Sequence, residues 1–169
     1  MINGFDQWYR IPCTKTLKDQ ISITYEAGKD ALKNQLIKIE HISLTLDAWS
    51  SPAHLPYLGV TAHWITSKFE SCELLLSMEE LPYPYGATEI QEHLFDLLYE
   101  WEIDSKINAI VTDNASNVKK ACSNMRIGER IPCAAHMLQL SIGKGLEVIK
   151  TLIDKCKYLI TFLATDKKK

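Results

Sequence analysis

The 169-residue chain lacks any apolar run long enough to cross a bilayer, and residues 1–13 have polar and aromatic residues interspersed throughout, without the apolar stretch of a secretory signal. Neither a membrane span nor an export signal is read from it. It also lacks a CxxC pair. Its five cysteines, Cys13, Cys72, Cys122, Cys133 and Cys156, are odd in number and scattered, which argues against a disulfide framework and for reduced thiols in an intracellular protein. Strong charge of one sign is missing too, the net value being −2. A DNA-binding role would therefore rest on a local patch or a partner module, not on global attraction. With 46% hydrophobic and 24% charged residues, wholesale disorder is excluded, and the length bounds the chain to one domain plus a terminal helix.

What is present is periodicity. Apolar residues recur at Leu17, Ile21, Tyr25, Leu32, Leu36 and Ile39, three or four apart except for one gap that holds Gly28. The spacing predicts an amphipathic N-terminal helix packed on the rest of the chain, with Thr14 and Thr16 as cap candidates. Ile42, Leu44 and Leu46 alternate with Ser43, Thr45 and Asp47, and residues 58–64 and 69–78 alternate likewise around a short turn. These read as three strands of an antiparallel meander. Thr88 and Gln91 read as a capping box for a helix carrying Ile90, Leu94, Leu97, Leu98 and Trp101. The nearly continuous apolar run over 107–112 predicts a parallel strand buried on both faces. A polar helix over about 115–125, a strand over 130–134 and one long C-terminal helix complete the order βββαβαβα. The last helix has a seam of Ile142, Leu146, Ile149, Ile153, Cys156, Ile160 and Leu163, and such a seam favours self-association.

The helix between strands 3 and 4 is the crossover that a parallel partner for a meander strand requires, so strand 4 can lie beside strand 1. Asp47, near the end of strand 1, and Asp113, just after strand 4, then come together. Magnesium and manganese ions prefer carboxylate oxygens, and two such ions about 3.5–4 Å apart can activate an attacking hydroxyl and stabilise a leaving oxygen. A single Asp at a strand end is more often a turn or cap residue. It is the pairing that singles these two out.

Five ordered stretches carry a resemblance: 9–17 (YRIPCTKTL), 44–51 (LTLDAWSS), 57–64 (YLGVTAHW), 110–117 (IVTDNASN) and 133–140 (CAAHMLQL). Together they resemble the hAT DNA transposases, including the RICESLEEPER-like group whose members usually begin with a BED zinc finger. The resemblance implies an α/β, RNase H-like mixed five-stranded sheet flanked by helices, with an added N-terminal helix and a long C-terminal one. It implies that Asp47, in DxWxS, and Asp113, in TDNAxN, are the first two catalytic acids and the metal ligands, with Mg2+ or Mn2+ as cofactor. The third acid, a glutamate, lies in the family far downstream, after a helical insertion domain. The stretch over 82–88 (PYPYGAT) departs from the family pattern in lacking a histidine.

Other residues bear on the site. Cys133 and His136 form a CxxH, yet no second pair at finger-like spacing makes a zinc site. The resemblance gives His136 a part in positioning DNA or the scissile phosphate beside the active site, whereas the plain alternative is a capping or core histidine. Trp49, two residues after Asp47, walls the pocket or belongs to the core. Asn114 and Asn117 cap the helix after Asp113 or hold a water at the metal. Lys119, Lys120, Arg126 and Arg130 contact DNA phosphates or form a solvated face, and 167–169 is a lysine run. Glu147 is a weak third acid within the chain, on the flank of the helical seam.

The domain reading is a helical segment over 1–40, an incomplete RNase H-like core over 41–147, and over 148–169 the helix that begins the insertion domain. Two functions fit. One is a part of a transposase that cleaves and joins DNA with two metal ions when complete, the chain alone being inactive for want of its third acid. The other is a truncated or domesticated derivative that binds DNA or protein without cutting it. The first implies DNA as partner, a homo-oligomer in the full-length protein, no membrane, no small-molecule cofactor and a nuclear location.

Overall fold

The computed structural model of the protein describes residues 11–82 and 84–165, so Tyr9, Arg10, Tyr83 and the lysine run over 167–169 lie outside the described residues. Helix α1 (Thr14–Leu36) leads into strands β1 (Ile42–Ser50), β2 (Pro56–Ile65) and β3 (Ser71–Glu80). Helix α2 (Ala87–Glu100), strand β4 (Ile107–Thr112), helix α3 (Ser116–Met125) and strand β5 (Glu129–Pro132) come next, then α4 (Ala134–Leu146) and α5 (Lys150–Thr165). The sheet order is β3-β2-β1-β4-β5. The meander pairs are antiparallel, while β4 lies parallel to both β1 and β5. This is the mixed RNase H-like sheet of the expected order, with α2 as the crossover.

One core lies against one face of the sheet. Ile42, Leu44 and Leu46 of β1, Leu58, Val60 and Ala62 of β2 and Ile110 of β4 point into it, covered by Ile90, Leu94, Leu97 and Leu98 of α2 and by Val118, Ala121, Cys122 and Met125 of α3. The alternation of β1 explains this, since every second side chain is apolar. Only the last turns of α1 join the core, through Leu36 and Leu32. Lys106 fixes that end, its Nζ donating to the carbonyls of Leu36 and Ile37 at 3.0 and 2.6 Å, a cation at a helix C-terminus where orphan carbonyls gather.

Several details differ from expectation. Helix α1 runs unbroken through Gly28, but Leu17, Ile21 and Tyr25 are exposed, so most of it does not pack on the body. Its N-cap is Cys13, not Thr14 or Thr16. The cap of α2 is Gly86, whose N–H is taken by the Glu89 carboxylate at 2.7 Å, so the capping pair is Gly86–Glu89 and not Thr88–Gln91. Strand β4 is not buried on both faces, because Asn108 is exposed and Ala109 and Val111 are half-buried on the face opposite the core. The single C-terminal helix is two, separated by a 3-10 turn over Glu147–Ile149. Gly143 and Gly145 precede that turn, and each glycine costs a helix about 1 kcal/mol relative to alanine.

Gly128 illustrates how β5 is joined. It sits at φ +65°, and a Cβ there would stand 2.8 Å from the Asn108 carbonyl carbon, so both conformation and space require glycine.

Candidate metal centre

Leu46 of β1 and Thr112 of β4 are register partners on adjacent parallel strands. The next residue on each strand is an aspartate. Asp47 and Asp113 thus share the end of the sheet at which both strands finish, and they line one cleft of about 360 Å³ with Thr45, Val111, Cys133 and His136. The cleft opens on the sheet face opposite the core.

The two carboxylates are held differently. Asp113 accepts the Ala115 N–H on Oδ1 at 3.0 Å, so it makes the turn into α3 that an aspartate after a strand makes elsewhere. Its second oxygen is left for other work. Asp47 is exposed, and its carboxylate has no hydrogen-bond partner among the described residues. Oxygen donors on two locked backbones, with free lone pairs, suit a hard divalent cation. Among the described residues no three His, Cys, Asp or Glu side chains converge as a metal cluster.

Arg130 fixes the Asp113 turn from β5. Its Nε donates to Thr112 Oγ1 at 2.9 Å, and one terminal nitrogen donates to the Asp113 carbonyl at 2.6 Å and to Asn114 Oδ1 at 3.2 Å. Thr112, fully buried, donates its own hydroxyl to the Asp113 carbonyl at 2.9 Å. The Arg130 side chain is therefore an internal clamp. Lys119, Lys120 and Arg126 are not among the residues lining the cleft.

The CxxH opens α4 across the cleft. Cys133 is its N-cap, and the Cys133 N–H donates to the Thr112 carbonyl at 2.7 Å, tying the helix start to the end of β4. His136 stands in the first turn, half-buried and lining the cleft. Asn114 does not cap α3: its Oδ1 takes the Arg130 guanidinium and its Nδ2 lies 2.9 Å from Met137 Sδ. The N-cap is Ala115, and Asn117 takes the Val118 N–H at 2.9 Å from within the first turn. Trp49 is not core either. It is 38% exposed, stacks on Tyr57 at 5.8 Å between ring centroids, and lies over Gly59, the cross-strand partner of Asp47. A Cβ on Gly59 would meet the indole at 3.2 Å.

Glu147 sits in the 3-10 turn between α4 and α5, where it lines a separate groove with Lys144 and Lys150. It does not reach the aspartates' cleft. Sequence reasoning missed Thr45 and His63, whose side chains lie 3.0 Å apart (Oγ1 to Nε2) beside the cleft; their strand alternation marked the face but not the pairing. All five cysteines are free, and burial pushes the Cys122 thiol up, partly offset by the nearby Arg130 charge.

The sequence is similar to those of known proteins. The model of the ZBED1 RNase-like domain matches residues 45–137, more than half of the chain, including both aspartates and the CxxH. A protein of Talaromyces stipitatus named as transcriptional regulator tpeD is 26% identical over 80% of this chain and 18% of its own length. A protein of Zea mays named as an AC transposase is 24% identical over 86% of this chain and 20% of its own. The chain thus spans about a fifth of the length of the curated relatives it matches. Among solved structures, the Mos1 transposase catalytic domain with raltegravir and Mn is a loose likeness, at TM-score 0.34 and 18% identity over 75% of this chain and 76% of that one. No helix among the described residues is long and apolar enough to cross a membrane. With its two aspartates in their motifs on an RNase H-like sheet, the chain belongs to the ZBED1 RNase-like domain family and is related to the hAT-type transposases.

Proposed function

We propose that the Asp47–Asp113 cleft holds divalent cations, Mg2+ or Mn2+, and that the chain is the first part of the catalytic domain of a hAT-type transposase acting on DNA. The observation that carries this reading is the Leu46–Thr112 register, which brings two carboxylates of distant sequence into one cleft. Bound there, such cations supply activation of an attacking hydroxyl and stabilisation of the leaving oxygen in phosphodiester cleavage. The chain's own residues do the rest. Asp47 and Asp113 hold the cations, Arg130 fixes the Asp113 backbone, His136 faces the substrate from the first turn of α4, and Trp49 stands beside Asp47.

In this reading residues 41–147 are the RNase H-like core, 1–40 a helical lead and 148–169 the approach to an insertion domain. The third acid comes from the longer protein, which works in the nucleus as a homo-oligomer. A transposase-derived module that binds without cutting is the second reading, supported by the relative named as a transcriptional regulator. Manganese titration of the chain and of its Asp47→Asn and Asp113→Asn variants tests the site. Each substitution is expected to weaken binding by roughly tenfold or more, the scale of about 1.4 kcal/mol; equal binding by all three would overturn the assignment. Metal-independent DNA binding by wild type and both variants would favour the second reading.

A further inference from the structure

The open face of the sheet carries a second polar chain that no part of the proposed site uses. Thr45 stands two residues before Asp47 on the same face of β1, and across the parallel pair it faces Val111, two residues before Asp113. It lines the cleft as its floor, about 6.6 Å below the aspartates at the usual strand rise. Behind it, on β2, half-buried His63 places Nε2 at 3.0 Å from Thr45 Oγ1. Behind His63, on β3, Glu73 places a carboxylate oxygen 3.9 Å from His63 Nδ1. That distance is too long for a hydrogen bond but close enough to favour a proton on Nδ1.

We propose that Thr45 is a positioning residue of the cleft whose hydroxyl polarity is set by His63. A hydroxyl has one proton and two lone pairs, and a neutral imidazole has one donor nitrogen and one acceptor. With the proton of neutral His63 on Nδ1, toward Glu73, Nε2 is the acceptor and takes the Thr45 hydroxyl proton. The Thr45 lone pairs then face the cleft, where they accept from water entering between the aspartates. Protonation of His63 makes Nε2 a donor and reverses the bond, so Thr45 turns its proton toward the cleft and no longer suits a water that must donate. The titratable or charged groups facing His63 among the described residues are Glu73 on β3 and His41, which shares with His63 a pocket also lined by Ser43 and Ser71. This inference rests on the metal reading of the cleft.

Two measurements test it. In the metal-free protein, nitrogen NMR of the neutral His63 ring is expected to show the Nδ1–H tautomer, with the Nε2 shift altered in Thr45→Val and kept in Thr45→Ser. Manganese affinity is then compared on the two sides of the His63 titration that NMR locates. Thr45→Val is expected to bind roughly three- to tenfold more weakly than wild type on the alkaline side, the range one net hydrogen bond carries, and equally on the acid side. Thr45→Ser should track wild type throughout. Taking the ratio at each pH removes the common effect of His136 and of the His63 charge. An Nε2–H tautomer, or a Thr45→Val deficit that is absent or identical at both pH values, overturns the proposal. If manganese binding proves independent of both aspartates, the metal reading fails instead, and the tautomer still decides the Thr45–His63 bond.

Discussion

Arg130 donates to Thr112 at the end of β4 and to backbone and side-chain oxygens of the turn that carries Asp113. A guanidinium offers several donors in one plane, which lets a single side chain serve Thr112, Asp113 and Asn114 together; an ammonium on a flexible stem does not reproduce that fork. Replacing Arg130 with Gln is expected to destabilise the fold by about 1.5–3 kcal/mol, the usual worth of hydrogen bonds to a charged group. Arg130→Lys should recover only part of this. Urea denaturation read by the midpoint checks both, and manganese affinity should fall alongside because the Asp113 turn is no longer fixed. An unchanged midpoint in Arg130→Gln would refute the clamp. The aspartates were legible because strand alternation and the crossover are enough to place them side by side. Arg130 was not, since a basic residue near an acid pair reads the same in sequence whether it meets a phosphate or a carbonyl. Thr45 and His63 were hidden for a related reason: alternation assigns both to one face, but only the β1–β2 register brings them within reach.

At the scale of elements, Lys29 ties α1 to α2 beyond the Leu32–Leu36 end that the core already holds. Lys29 pairs with Glu100 at the end of α2 and lies 5.7 and 5.5 Å from the Tyr25 and Trp101 ring centroids. The Glu100 hydrogen bond raises the Lys29 pKa above its ordinary 10.5, against the opposing effect of burial. A raised lysine contributes stability that is complete below the ordinary value and disappears as pH climbs through the raised one. Carbon-detected NMR titration of Lys29 should therefore find its midpoint above 10.5 in wild type and lower in Glu100→Gln, where the opposing effect of burial remains, with the α1 resonances shifting in step. Coincident curves would show that Glu100 does not hold the helix. The three-to-four spacing makes the existence of α1 plain, but not the extent of its packing: Leu17, Ile21 and Tyr25 have the right period and still remain exposed. Caps and breaks were harder again. The Gly86 cap and the turn after Gly145 depend on where the chain must change direction, which periodicity does not record.

Across the whole molecule, burial is divided unequally. The sheet, α2, α3 and the end of α1 share one continuous core, whereas α4 has no buried residue and Leu138, Ile142, Leu152 and Leu163 of α4 and α5 are exposed. Cooperative stability tracks shared burial, because opening one part of a common core exposes the rest. Leu94 is fully buried in that core. Leu94→Ala is expected to cost about 2–5 kcal/mol, the lost transfer energy plus the cavity it leaves. Native-state hydrogen exchange should divide the loss along the same line. Amides of β1, β4 and α2 should exchange faster by the full change in stability, since they open only on global unfolding. Amides beyond the first turn of α4 and throughout α5 should keep their wild-type rates, since they open locally. If α5 lost protection together with β1, the C-terminal helices would belong to the cooperative unit, and their exposed apolar surface would have to be stabilised by contacts other than the core.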